Sequence, residues 1–207
     1  MRTPGQDLDL TTGFLFTEGI ISGIADIQDQ QQRQRDVVNT SLKSHVRVQP
    51  AELQRHFYTT SSCGVCGKTS IDMVKTKTVY RPHTSKFSIK HNVLWRLQQQ
   101  LKSRQILFNQ TGGIHAAGLF NNKGELVLIR EDVGRHNAVD KLIGAGLKMN
   151  VVPLYEHFIM VSGRASFELI QKASMAGLPM LVAVGAPSSL AVELAEEQGM
   201  TLIGFLK

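Results

Sequence analysis

The sequence predicts an α/β fold: a layered, mostly parallel sheet with helices on both faces, preceded by a smaller strand-rich extension. Three observations carry this. From Phe108 onward, strand-length apolar runs alternate with helix-length stretches. The runs Phe158–Ser162, Met180–Val184 and Thr201–Leu206 are almost continuously apolar, as strands buried on both faces are. The stretches between them, Ser166–Ala176 and Ser188–Gln198, are followed by Gly177 and Gly199, the residue type that ends helices. A boundary near residue 105 divides the chain into an extension, 1–105, and an α/β domain, 106–207.

In chain order, Leu8–Ile21 has apolar residues at 8, 10, 14, 15, 20 and 21 and is bounded by Gly19 and Gly23, which predicts a short helix. Ile24–Asp29 and Val38–Val48 read as strands; in the second, Val38, Thr40, Leu42, Val46 and Val48 share a face. The polar run Gln30–Arg35 between them reads as a solvated loop at a hairpin tip. Pro50–Leu53 opens a brief helix with proline in its first turn. Val93, Leu94, Leu97 and Leu101 mark a helix from about Lys90 to Arg104, with Trp95 off the stripe and expected to pack on a neighbouring element. His115–Phe120 and Glu125–Glu131 form a hairpin around Asn121-Asn122-Lys123-Gly124, and a helix follows over His136–Leu147.

A charged fraction of 19% and an apolar fraction of 42% describe a globular chain. No apolar run reaches the length of a membrane span, and Met1-Arg2-Thr3-Pro4-Gly5 does not open a signal peptide. The expectation is a cytoplasmic protein without a membrane partner. A formal charge of +6 favours an anionic partner. The basic residues are dispersed and lack interleaved aromatics, which argues for a phosphorylated small molecule or an acidic protein face over nucleic acid.

Cys63 and Cys66, the only cysteines, lie in Thr59-Thr60-Ser61-Ser62-Cys63-Gly64-Val65-Cys66-Gly67-Lys68. Small hydroxyls and glycines suit a solvent-reachable loop, and Lys68 and the second thiol can lower a thiol pKa. The spacing fits a structural zinc site, a dithiol oxidoreductase or a sulfur carrier. Zinc would need two more ligands at a regular spacing, which the scattered histidines do not offer, and no metal is expected. A redox motif would open a helix, which the Ser/Thr and Gly-Lys-Thr flanks do poorly. Two inert cysteines in a turn stay open as a fourth reading.

Three polar patches break the apolar pattern at strand ends, where open α/β sheets bind ligands. They are Thr111–His115, Arg130–Lys141 and Ser162–Ser166. The third offers free amides at a helix start, small hydroxyls and Arg164, a set suited to phosphate. In the second, Asp132 or Asp140 suits a guanine edge and Arg135 a phosphate; the competing reading is a structural ion-pair network with Asp132 as cap. A hairpin followed by a helix with His136 in its first turn is also the frame of zinc cytidine deaminases. Those need a glutamate two residues after the histidine and a Pro-Cys-x-x-Cys at the next helix start. Ala138 and Ser162-Gly163-Arg164 stand there instead, which excludes that deamination chemistry.

Ser62–Lys68, Glu131–Lys141, Ser162-Gly163-Arg164 and Ala186–Ala191 together resemble the FdhD family, the formate dehydrogenase accessory sulfurtransferases. With Arg2–Gly5 and Gly13–Gly19 the likeness spans essentially the whole chain. The resemblance implies a cytidine-deaminase-like fold, a homodimer and a sulfurtransferase with a cysteine persulfide intermediate. Its partners would be a cysteine desulfurase, which gives the sulfur, and formate dehydrogenase, whose molybdenum cofactor, bis-molybdopterin guanine dinucleotide, receives it. Residue by residue, the persulfide carrier falls on Cys63 with Cys66 in support. Phe205, Leu206 and Lys207 match the start of a cofactor-contacting stretch. Together with the patch chemistry, this places the guanine nucleotide ends of the cofactor, of which GDP is a partial analogue, on Gly113, His115, Asp132, Arg135, His136, Asn137, Asp140, Lys141, Ser162, Gly163, Arg164 and Ser166. The rival readings are a non-catalytic cofactor-binding chaperone and a dithiol redox protein.

Overall fold

The computed structural model describes residues 1–48, 80 and 87–206. Cys63, Cys66, Lys68, the expected Pro50–Leu53 helix and Lys207 lie outside the described residues.

Helix α1 spans Asp7–Thr17, with Asp7 and Asp9 in its first turn, where carboxylates complement the helix dipole. It stops where Gly19 takes a φ of 72° and Ile20 returns its amide to the Leu15 carbonyl at 2.9 Å. Strands β1 (Ile27–Gln34) and β2 (Val37–Leu42) form an antiparallel hairpin of their own. The glutamine run is therefore strand, not the solvated loop its polarity suggests. Its side chains supply partners that apolar residues would not. Gln30 accepts from the Thr12 hydroxyl at 3.1 Å and donates to Thr40 Oγ1 at 3.3 Å, and Gln32 donates to Asp7 and to the Arg35 carbonyl. The second strand stops at Leu42, short of Val46 and Val48. There Lys43 returns its amide to Asp26, and His45 binds the Asp26 carboxylate at 2.9 Å, turning the chain.

Helix α2 (His91–Ser103) buries Leu97 and Leu101, one turn apart. Trp95 is 67% exposed and meets only the edge of the His91 ring among the aromatic contacts of the described residues. It projects outward, contrary to the packing role expected of it. A short helix α3 (Ile106–Thr111) leads to a hairpin of β3 (His115–Asn121) and β4 (Leu126–Asp132). Then come α4 (Arg135–Lys148), β5 (His157–Val161), α5 (Phe167–Met175), β6 (Met180–Ala183), α6 (Ser189–Gln198) and β7 (Thr201–Ile203).

The five strands order as β4-β3-β5-β6-β7. β5, β6 and β7 run parallel, joined by the helical crossovers, and the hairpin adds β3 antiparallel to β5, so the sheet is mixed. Successive residues feed two cores. Leu119, Ile159 and Leu181 face α4, α5 and α6, where Leu142, Ile143, Ile170 and Leu194 meet them and Phe16 of α1 adds to the layer. Phe120, Phe158, Met160 and Val182 face Leu97 and Leu101 of α2, with the Phe120 and Phe158 rings stacked 5.4 Å apart. Full burial of one such side chain contributes about 1.5–3 kcal/mol. The arrangement leaves the carboxyl ends of β4, β5 and β6 and the start of β3 along one edge.

Candidate functional site

Along that edge the loops after β5, β6 and β7 lie side by side. Gly185 donates to the Gly163 carbonyl at 3.0 Å, Ala165 to Ala186 at 3.2 Å, and Phe205 to Gly185 at 3.2 Å. A side chain at Gly185 would sit 2.9–3.0 Å from Arg164 atoms, so glycine is what lets the two loops approach. Since β3 runs against β5, its first residues adjoin the end of β5. Ala116 donates to the Ser162 hydroxyl at 2.9 Å and accepts from the Ser162 amide at 3.0 Å.

This brings His115 to Gly163: a Cβ there would lie 3.2 Å from the imidazole Nδ1 and 3.8 Å from Arg135 Cδ. Arg135 opens α4, and its Nε is buried with no hydrogen-bond partner among the described residues. An orphaned, charged donor of this kind costs about 1–3 kcal/mol or more in the free protein, and a bound anion would offset that. Beside it, His136 Nε2 lies 3.1 Å from Ser166 Oγ and 3.8 Å from Glu168 Oε2. Burial first, and then the Arg135 guanidinium, push the His136 imidazole down to about 4, although Glu168 opposes them. It is neutral at pH 7. Burial and Arg135 lower His115 as well. Burial pushes the Glu168 carboxyl up, but the Ser166 hydroxyl, its own amide, His136 and Arg135 outweigh it and hold it below the usual value. The cluster thus presents a cation, two neutral imidazoles and a carboxylate around a glycine floor.

A second group of expected residues lies beneath as frame. Asp132, at the end of β4, is fully buried. Its Oδ2 takes the Lys141 ammonium at 2.7 Å and the Thr3 amide at 3.0 Å; its Oδ1 takes the Gly134 amide at 2.9 Å and Asn137 Nδ2 at 3.0 Å. Lys141, also fully buried, donates to the Thr3 and Glu131 carbonyls. Asn137 reaches the Met1 carbonyl, and Thr3 Oγ1 accepts from the Val133 amide. The N-terminal residues are therefore stitched to the start of α4. The acceptors of Asp132 are taken up inside the chain, which matches the structural network reading of this patch.

Asp140 points the other way, toward α1 and α5. It accepts from the Thr17 hydroxyl at 2.8 Å and pairs with Lys172 at 3.0 Å, and Lys172 also pairs with Glu18 at 2.8 Å. Burial raises the Asp140 carboxyl against the pull of Lys172 and Thr17. For Lys172, burial works downward, but Asp140 and Glu18 outweigh it and leave the ammonium raised and charged.

Of the remaining expected residues, Ser162 and Arg164 flank Gly163, with Arg164 exposed. Gly113 is exposed in the turn before β3. Phe205 is 65% exposed at a φ of 57°, a left-handed conformation unusual for an aromatic residue, while Leu206 joins the core on the α2 side. Sequence reasoning missed Glu168, Lys172 and Glu18. A hydroxyl-x-carboxylate pair at a helix start, Ser166-Phe167-Glu168, was the available signal for the first of them.

The family model for the FdhD/NarQ family matches residues 1–207. A protein of Mycolicibacterium paratuberculosis named sulfur carrier protein FdhD is 46% identical over 100% of this chain and 79% of its own length. Proteins of the same name from Streptomyces coelicolor and Saccharolobus solfataricus are 48% and 42% identical, each over 100% of this chain and 77% of its own length. Among solved structures, a formate dehydrogenase accessory protein from Desulfotalea psychrophila superposes with a TM-score of 0.74 at 23% identity, over 100% of this chain and 76% of that one. That likeness bears on the fold.

Proposed function

Because the chain belongs to the FdhD/NarQ family, we propose that it is a sulfur carrier serving formate dehydrogenase, with Cys63 as the thiol that holds the sulfur. In the loading step the Cys63 thiolate attacks the terminal sulfur of a desulfurase persulfide. The S–S bond of the donor breaks, the desulfurase cysteine leaves as thiolate, and a Cys63 persulfide forms, so sulfur and charge balance. Cys66 supports the thiol. The acceptor, as cargo, is the molybdenum cofactor, bis-molybdopterin guanine dinucleotide, in the cytoplasm. The protein acts as a homodimer.

The observation that carries the cargo reading is the buried Arg135 Nε without a partner, set at the sheet edge beside Gly163 and His115. Its chemistry fits a phosphate of a guanine dinucleotide, with the exposed Arg164 next to Gly163 as a second cation. His136, held neutral by burial and Arg135, adds no charge to repel or attract at this point. The sulfur reading is supported by the names of relatives that are more than 40% identical over the whole chain.

The test is the intact mass of the protein after incubation with a cysteine desulfurase and cysteine. A carrier gains one sulfur that a thiol reductant removes. Cys63→Ala abolishes the gain and Cys66→Ala keeps part of it. No sulfur on the wild type would leave a chaperone that binds the cofactor without carrying sulfur; equal labelling of both variants would remove Cys63 from its role.

A further inference from the structure

On the α2 side of the sheet, between α2 and the tip of the β3–β4 hairpin, lies a cavity of about 440 Å³. Lys90, Arg96 and Lys123 line it, and none of the three makes an ion pair among the described residues. The one carboxylate in the lining, Glu125, already accepts from Asn121 Nδ2 at 2.6 Å. Three cations against one carboxylate leave an excess of positive charge around the concavity, which focuses a positive potential into it. The volume lies within the range of about 300–1,000 Å³ typical of small-molecule sites.

The walls are built in advance. Gln100 donates to the Gly124 carbonyl at 2.9 Å, tying α2 to the hairpin. Gly124 has a φ of 76°, and a Cβ there would fall 2.1 Å from Val93 Cγ1, so the turn sits directly on the helix. The turn is closed by Asn121 Oδ1, which accepts from the Lys123 and Glu125 amides at 3.0 Å each. The backbone of Lys123 is thereby fixed in the turn, and its side chain lines the cavity together with that of Arg96. This cavity is at the far end of β3 from His115, a separation of roughly 20 Å along a seven-residue strand. It is a separate place from the Arg135 cluster and owes nothing to it.

We propose that this cavity is a second anion site, binding a phosphorylated small molecule of nucleotide size. The phosphates lie among Lys90, Arg96 and Lys123, and Val93 and the Gln100 and Asn122 carboxamides face the remainder. The concavity, of small-molecule size and walled by α2 and the hairpin turn, favours a small molecule over an extended acidic segment of another protein, which would run beyond it.

The experiment is a titration of the full chain, uniformly labelled with nitrogen-15, with pyrophosphate and with ADP, following amide resonances. The expected result is saturable shifts at Val93 and Gly124, tighter for ADP. Arg96→Glu and Lys123→Glu, both at exposed positions, should each weaken these shifts about tenfold or more, the loss of one charge-assisted contact. Shifts at Gly163 should survive both changes. An absence of response at Val93 and Gly124 in the wild type overturns the proposal, as does an unchanged affinity in both variants. A hexaglutamate peptide that binds there more tightly than ADP also overturns it, in favour of an acidic protein partner.

Discussion

Gly13 of α1 and Asp140 of α4 touch through their backbones: a Cβ at position 13 would lie 1.8 Å from the Asp140 carbonyl oxygen. The contact is reciprocal, since a Cβ at Gly144 would lie 1.9 Å from the Asp9 carbonyl oxygen. Gly13→Ala and Gly144→Ala should each destabilise the fold by about 1–3 kcal/mol or more, because both helices must separate to admit one methyl group. Urea unfolding followed by circular dichroism measures it; a change of a few tenths of a kcal/mol would mean that the helices can slide apart freely.

Lys141→Met should destabilise by about 3–5 kcal/mol, the usual consequence of stranding one member of a buried ion pair. The pair is Lys141 and Asp132, 2.7 Å apart with side chains no more than 1% exposed. The same variant should speed amide exchange at Val133, which donates to Thr3, because Thr3 loses its hold on Lys141. Hydrogen exchange read by mass spectrometry checks this.

The contribution of His136 to stability should rise with pH between about 4 and about 6.5. His136 is held at about 4 in the fold, against an ordinary value of 6.5, by burial and by Arg135, with Lys172 adding and Glu168 and Glu18 opposing. In that window the unfolded chain binds the extra proton, so the contribution is present above the window and is lost as the pH falls through it. His115 and His157 are lowered too and work in the same direction. His136→Gln should therefore reduce the slope of the thermal midpoint against pH without abolishing it. An unchanged slope would mean that His136 titrates normally.

Arg135→Met should leave stability unchanged or raise it, while GDP binding falls. The variant removes a buried donor that has no partner and keeps the aliphatic stem. Loss of a charge-assisted phosphate contact costs about 1.5–3 kcal/mol, roughly ten- to a hundredfold in affinity. Arg164→Ala should weaken GDP binding by a similar factor, and Lys43→Ala should not. Calorimetric titration with GDP, and ADP as control, in an Arg96→Glu background that weakens the second anion site, reads all three. If the wild type binds neither nucleotide, or Arg135→Met binds as the wild type does, the phosphate role of this cluster is wrong.

The layered half of the fold was legible because its signals are strong and local. Apolar strands such as Phe158–Val161 and glycine stops at 177 and 199 leave few alternatives. Gln30–Gln34 was not legible as a continuation of the strand begun at Ile27, since this stretch, sustained by Gln30, Gln32 and Thr40, carries no apolar alternation of its own. Within the site, the patches around Arg135 and Ser162 could be read from polar residues at strand ends. Their division of labour could not. Asp132 and Lys141 turn inward because Thr3, more than 120 residues away, supplies the amide and carbonyl that satisfy them. Glu168 went unread because one acid in the first turn of a helix looks like dipole compensation until the fold sets it against His136.

The burial of Lys141 beneath Thr3 has a practical consequence. Its amine should be silent to acetic anhydride in the native protein while Lys90 and Lys123 acetylate freely, and it should become reactive when the N-terminal strap lifts. The protein thus carries its own footprinting reporter: one lysine whose modification, read by peptide mass, tells whether the strap over the start of α4 is seated.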